Sequence, residues 1–133
     1  MSERPGEPRR SGWRLGGRDS DLTLDVTEVD GTDVVTVSGD LDARTHGELR
    51  ELFKDPAALT RPRVVLDLDA VGFLDSAGIG ALVVANRAGA ARGAALSLVA
   101  TQPRVLKLLG VVGLDRVLPV HGTLAEALAA ASR

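Results

Sequence analysis

Residues Leu74–Gly80, with the sequence LDSAGIG, form the stretch that decides the fold. An apolar run, Val64–Leu68, precedes it, and apolar residues at helical spacing follow it from Ile79 onward. The pattern predicts a strand, a short turn and a helix that begins near Ser76. Free N–H groups and partial positive charge at a helix start attract anions. Ser76 is therefore a candidate phosphorylation site whose phosphate another protein can recognise.

On the N-terminal side of this stretch the chain predicts a hairpin and a helix. Apolar residues alternate with polar ones in Leu22–Val26 and again in Asp33–Ser38, and the pair Asp30-Gly31 between them is a hairpin turn signal. Thr45 and Glu48 then have the spacing of a capping box at the start of a helix, which ends near Pro56.

On the C-terminal side the helix after Ser76 is predicted to run to about Ala91, where Gly93 stops it. A strand follows at Leu96–Ala100, and Pro103 opens a short helix. Val117–Val120 is predicted to be an edge strand, because its proline cannot donate to a ladder. A second capping box, Thr123 to Glu126, begins the last helix.

The predicted order is β-β-α-β-α-β-α-β-α in one α/β domain over residues 21–133. The alternating part predicts parallel strands, and the hairpin makes the sheet of four to five strands mixed. Residues 1–20 are rich in Arg, Gly, Ser and Pro and lack an apolar period, so they are predicted to be a disordered tail.

Composition excludes several classes of protein. The 133 residues carry a net charge of −2, only 2% are aromatic, and none is cysteine. A nucleic-acid surface is therefore not expected, nor are disulfides or thiolate chemistry. No apolar run reaches the roughly 18 to 20 residues that cross a bilayer, and no signal peptide is recognisable, so we expect a cytoplasmic protein without membrane contact.

The same turn does not fit an enzyme. A nucleophile elbow needs glycine where Leu74 stands, and the two possible bases, His46 and His121, are expected at the surface. No phosphate-binding loop with its lysine is present. Two acidic pairs are more typical of turns and strand ends than of metal sites, so no metal or other cofactor is expected. These pairs are Asp40 with Asp42 and Asp67 with Asp69.

Three details indicate that the turn receives another molecule rather than only closing a helix. Ile79 stands where a capping box would have glutamate. Gly78 and Gly80 fall in the first turns of the helix, where each costs about 0.8–1 kcal/mol relative to alanine, which indicates close approach by something else. The segment Ala70–Leu74 is predicted to be an apolar loop that rims the serine, as in protein-binding patches.

Together, four segments resemble the STAS-domain anti-sigma factor antagonists of bacteria, over about residues 21–131. These segments are Gly39–Asp42, Val64–Leu68, Phe73–Gly80 and Val112–Leu114. The resemblance implies a single STAS domain, with about four helices packed mainly against one face of the mixed sheet.

The resemblance also implies a function in transcription regulation and stress response. The antagonist binds an anti-sigma factor, often a serine kinase, and so frees a sigma factor for RNA polymerase. Phosphorylation at Ser76 would dissociate the pair, and a PP2C-type phosphatase would restore it. Ala77 departs from the many members that carry Ser or Thr there. The implied partner-binding residues are Asp40, Asp42, Phe73, Asp75, Ser76, Ala77, Gly78 and Gly80.

Two other interpretations stay open at this point. In one, the protein is a constitutive STAS binding or scaffold module in which Ser76 only caps a helix. In the other, the turn cradles a nucleotide, although the lysine of a phosphate-binding loop is missing.

Overall fold

The computed structural model describes residues 9–15 and 21–131. Six strands and four helices follow one another, with a short 3-10 turn at Leu114–Arg116 after α3. In chain order they are β1 Arg9–Leu15, β2 Leu22–Val29, β3 Thr32–Leu41, α1 His46–Lys54, β4 Arg63–Leu74, α2 Ser76–Ala91, β5 Ala95–Val99, α3 Pro103–Val111, β6 Val120–His121 and α4 Leu124–Ala131.

All six strands form one sheet whose spatial order is the chain order, β1 to β6. β1, β2 and β3 are antiparallel, and β3 to β6 pair in parallel. The β2–β3 turn has φ of 49° at Asp30 and 83° at Gly31, the positive values that a two-residue type I′ hairpin requires. The mixed α/β sheet of five strands expected from the sequence is thus confirmed in β2 to β6, although the last strand, expected at Val117–Val120, is Val120–His121.

The sixth strand corrects the expectation that residues 1–20 are all disordered. Arg9–Leu15 pairs antiparallel with β2, with Arg10 opposite Thr27 and Leu15 opposite Leu24. Backbone hydrogen bonds to a neighbouring strand do not depend on side-chain hydrophobicity, so an absent apolar period does not exclude an edge strand. The rest of the predicted tail, 1–8 and 16–20, lies outside the described residues.

The core lies on both faces of the sheet, in unequal amounts. On one face α1, α2 and α3 bury fully enclosed leucines, including Leu49, Leu82 and Leu109, against β4 and its neighbours. On the other face α4 packs Ala127 onto a smaller cluster that includes Val65. Each fully buried leucine contributes about 1.5–3 kcal/mol. Three helices on one face therefore hold the segment that contains Ser76.

β4 is longer than expected and corrects the interpretation of Ala70–Leu74 as a loop. These residues continue the parallel pairing with β3, with Val71 opposite Gly39 and Leu74 opposite Leu41. The Gln102 side-chain amide, just before α3, donates to the carbonyl oxygens of Leu68 and Val71 at 2.7 and 2.8 Å. The strand therefore carries the chain directly up to the turn at Asp75.

Candidate functional site

The candidate site lies where β3 and β4 end side by side and α1 and α2 begin. Leu41 and Leu74 are register partners at the carboxyl ends of these two parallel strands. α1 begins at His46 and α2 at Ser76, so two helix starts lie at the same edge of the sheet. In open α/β sheets this edge is where binding sites usually lie.

Asp75 connects the two helix starts. Its Oδ1 accepts a hydrogen bond from the backbone N–H of Gly78 at 3.0 Å, which makes it the N-cap of α2. Its Oδ2 accepts from the backbone N–H of Ala43, in the loop before α1, at 3.1 Å. Because Asp75 is the cap, the interpretation in which Ser76 only caps the helix does not describe the structure.

Ser76 is the first residue of α2, and its side chain is exposed. Among the described residues no hydrogen-bond partner is found for its hydroxyl. Ala77 beside it is half-buried. The Ser76 hydroxyl is therefore open to solvent at the start of α2.

The two glycines of the turn differ in role, and both correct the expectation that they admit an outside molecule. Gly78 is buried, and a Cβ there would lie 2.3 Å from the Leu41 carbonyl oxygen and 2.6 Å from a Leu74 methyl. A Cβ on Gly80 would lie 2.8 Å from Nη2 of Arg50. Groups of this protein itself therefore lie in the space that a side chain at either glycine would take, and the partner-binding role of both glycines stays a prediction.

The loop before α1 is ordered by Asp42 and Thr45. Asp42 Oδ1 accepts from the backbone N–H groups of Arg44 at 2.9 Å and Thr45 at 3.2 Å. The Thr45 hydroxyl donates to the Asp40 carbonyl oxygen at 2.7 Å and gives no cap hydrogen bond to α1. The capping box expected at Thr45 and Glu48 is therefore wrong. Asp40 and Asp42 lie beside the Ser76 turn, both half-buried.

Arg44 adds an exposed positive charge to this loop. Its guanidinium forms an ion pair with Asp21. The hydrogen bond from Arg44 to Asp21 raises the pKa of Arg44, with further support from the charges of Asp21 and Asp42. The surface around the two helix starts therefore carries charges of both signs.

Arg50 was not predicted from the sequence, and His46, considered there only as a possible base at the surface, is half-buried. Arg50 lies one turn into α1, is half-buried, and donates from Nε to Nδ1 of His46 at 2.9 Å. Its guanidinium lies over Gly80 of α2. The only signal in the sequence was the four-residue spacing of two basic residues on one helix, and that pattern does not reveal which helix they face.

Phe73 supplies the apolar part of the site. Three residues before Ser76, it keeps 49% of its surface exposed. An open groove of about 440 Å³ runs along it, between the end of β4 and the start of α3. Its walls are residues 71–74 and 102–105. An exposed phenylalanine at a groove is typical of protein-binding surfaces.

The described part of the chain contains neither a cluster of metal ligands nor a helix that could cross a membrane. Within residues 9–15 and 21–131, no group of three or more metal-ligating side chains is close enough to hold an ion. In the same residues, no helix combines the length and apolar character that a bilayer crossing needs.

Comparison with known proteins gives the family. The sequence model of the STAS domain matches residues 23–127. The crystal structure of an anti-sigma factor antagonist from Mycobacterium paratuberculosis is 33% identical, with a TM-score of 0.77, over 90% of this chain and all of that one.

Two more distant structures have the same fold. An anti-sigma-factor antagonist (STAS) domain protein from Planctomyces limnophilus matches at 26% identity and a TM-score of 0.66, over 80% of this chain and 95% of that one. The phosphorylated form of the Bacillus cell fate determinant SpoIIAA matches at 20% identity and a TM-score of 0.62, over 81% of this chain and 98% of that one. The chain belongs to the STAS domain family and has the fold of the anti-sigma factor antagonists.

Proposed function

We propose that this protein is an anti-sigma factor antagonist that works in the cytoplasm and is switched off by phosphorylation at Ser76. One observation carries the proposal. The Ser76 hydroxyl is exposed and has no hydrogen-bond partner within the described ranges, and it follows by three residues a phenylalanine that is exposed at a groove. The 33% identity to an anti-sigma factor antagonist supports the choice of partner.

The unmodified surface suits a protein partner. Phe73 and its groove offer apolar area, while Asp75 next to Ser76, and the half-buried Asp40 and Asp42 at the end of β3, add polar groups. Apolar centres with polar surroundings characterise protein interfaces. A neutral serine lets a partner approach this surface without burying a charge at that position.

Phosphorylation follows ordinary chemistry if the bound anti-sigma factor is also an ATP-dependent serine kinase. Ser76 Oγ forms a bond to the γ-phosphorus of ATP, the bond to the bridging β–γ oxygen breaks, and ADP leaves. The hydroxyl proton passes to a base on the kinase. A PP2C-type phosphatase reverses the change by hydrolysis, in which water supplies the oxygen that leaves with the phosphate.

Electrostatics then disfavour the complex. A phosphate adds about −1.5 to −2 charge, beside the carboxylate of Asp75. Burying a poorly paired charge at an interface costs about 2–5 kcal/mol. Since about 1.4 kcal/mol is tenfold, affinity is expected to fall by a factor of about 30 to several thousand.

The test compares binding of purified anti-sigma factors from the source organism to three forms of the protein: unmodified, phosphorylated at Ser76, and Ser76→Ala. We expect tight binding of the first and third forms only, and incubation with a kinase partner and ATP should add one phosphate to the unmodified form alone. Ala125→Asp is the control, because it adds a negative charge in the exposed first turn of α4, which packs on the other face of the sheet.

The proposal is wrong if phosphorylated and unmodified protein bind equally well. If the unmodified protein binds tightly but no partner phosphorylates it, the switch is absent and the protein is a constitutive STAS module.

A further inference from the structure

We propose that Arg50 and His46 of α1 form a receptor, within the same molecule, for the phosphate group on Ser76. The inference rests on the modification proposed above and adds a regulatory role for two residues of the neighbouring helix. In this role the phosphorylated protein binds its own phosphate, instead of leaving it in solvent.

The two helices α1 and α2 start side by side. α1 follows β3 and α2 follows β4, two neighbouring parallel strands, and both helices pack on the same face of the sheet. The Asp75 carboxylate accepts the N–H of Ala43, which fixes the two helix starts beside each other. The helices therefore run in the same direction from a common edge.

The contact between the two helices places the Arg50 guanidinium at Gly80. Arg50 lies four residues after His46, and Gly80 lies four residues after Ser76, so each pair shares one face of its helix. The guanidinium of Arg50 lies over Gly80, with Nη2 2.8 Å from the position of a Cβ. Because Nε of the same guanidinium donates to Nδ1 of His46, the imidazole lies beside this contact, one helical turn along from Ser76.

Ser76 lies one helical turn before Gly80 on the same face of α2. Residues four apart on a helix have Cβ atoms about 5–6 Å apart. A phosphoserine extends three bonds beyond its Cβ, and arginine has a long flexible side chain. Rotation of the flexible Arg50 side chain toward the start of α2 therefore brings its guanidinium within hydrogen-bond reach of a phosphate on Ser76. A side chain at position 80 would occupy this space, so the glycine keeps it open for Arg50.

The Arg50 guanidinium has N–H groups available to bind a phosphate. Arginine carries five N–H groups in a fork that fits phosphate. In the described part of the chain, one hydrogen bond of this guanidinium is found, from Nε to Nδ1 of His46. Because Nδ1 of His46 accepts this bond, the ring carries its N–H at Nε2, which adds a second possible donor to the receptor.

The nearby carboxylates of Asp75 and Asp42 accept hydrogen bonds from the backbone. Both oxygens of Asp75 accept backbone N–H groups, and Oδ1 of Asp42 accepts two. The first turn of α2 contains no acidic residue, whereas α1 has Glu48 in its first turn. Arg50 supplies a positive charge beside Gly80, one helical turn from Ser76, and His46 accepts a hydrogen bond from it.

The test uses protein with phosphoserine placed at position 76 during synthesis, so that it needs neither a kinase nor a partner. A phosphoserine ordinarily has a second pKa of about 6, and phosphorus NMR measures it directly. A nearby cation favours the doubly charged phosphate, so the phosphate pKa is expected to lie about half a unit lower in the wild-type sequence than in Arg50→Gln.

Three further variants separate pairing from general charge. Arg87→Gln removes the same charge from an exposed site three turns along α2 and is expected to leave the phosphate pKa unchanged. Gly80→Ala displaces the guanidinium at constant charge and is expected to raise the phosphate pKa. Arg50→Lys keeps the positive charge but lacks the forked N–H groups, so its phosphate pKa is expected to lie between those of the wild-type sequence and Arg50→Gln.

The inference is overturned if Arg50→Gln leaves the phosphate pKa unchanged, or if Arg87→Gln raises it by as much. Should Arg50→Gln fail to fold, Gly80→Ala decides the question alone. These outcomes do not depend on anti-sigma factor binding. An unchanged phosphate pKa would therefore contradict the receptor without contradicting the phosphorylation switch. Failure to bind an anti-sigma factor would contradict the switch without changing the phosphate pKa.

Discussion

Asp75 accepts the backbone N–H of Ala43 across a sequence separation of 32 residues, at 3.1 Å. The contact joins the loop before α1 to the cap of α2, so one carboxylate orders both helix starts at the Ser76 site. The same side chain caps α2 through Gly78.

Asp75→Ala is expected to destabilise the protein by about 1–2 kcal/mol, because it removes a helix cap and leaves the Ala43 N–H without its carboxylate. Urea denaturation measures the change. Asp115→Ala, at an exposed position of the 3-10 turn, is the control and is expected to change stability by less than about 0.5 kcal/mol. Equal stability of the two variants would show that the cap contributes nothing.

Gly78→Ala and Gly80→Ala are expected to differ although both replace glycine in the same helix. At position 78 the new Cβ meets the Leu41 carbonyl oxygen at 2.3 Å, and the backbone must move, at a cost of about 1–3 kcal/mol. At position 80 it meets the end of flexible Arg50, and alanine favours the helix. Thermal unfolding should show a clear loss of stability for Gly78→Ala only. A matching loss for Gly80→Ala would contradict this reasoning.

Phe73→Ala is expected to weaken binding of the anti-sigma factor at least about tenfold, as large aromatic side chains often dominate an interface. Folding stability should change little, because the ring is 49% exposed. Val117→Ala is the control, since Val117 is 64% exposed but lies just before β6, at the opposite edge of the sheet. Calorimetric titration distinguishes the two, and unchanged affinity for Phe73→Ala would exclude this surface.

Removing residues 1–20 is expected to speed hydrogen exchange at backbone amides of β2 that face β1, because the deletion strips the edge of its paired strand. Amides of β4, which lie between β3 and β5, serve as the internal control and should stay protected. Exchange measured by mass spectrometry gives both results at once. Unchanged protection of β2 would mean that the pairing does not form in solution.

Hydrophobic pattern and turn residues sufficed to predict most of the fold. The hairpin at Asp30-Gly31 and the end of α2 at Ala91 before Gly93, where φ is 78°, were both predicted from local signals. β1 was missed because its pairing with β2 is a backbone contact. The end of β4 was missed because Ala70–Leu74 looks like a loop until its partnership with β3 is known.

The candidate site was predicted less completely, for the same reason. Glycines at 78 and 80 were recognised as costly, but the sequence does not show that Leu41 and Arg50 fill the space. Thr45 had the spacing of a cap, yet its hydroxyl donates to the carbonyl oxygen of Asp40. Contacts between distant segments decide these roles, and local patterns contain no information about them.

The sheet order has a consequence for biosynthesis. Because each strand lies next to the strand made just before it, a chain that emerges from the ribosome can add every new strand to a neighbour already present. The elements that position Ser76, from β2 to α2, are complete by Ala91. Translation therefore completes the part of the fold around Ser76 before the last two strands exist.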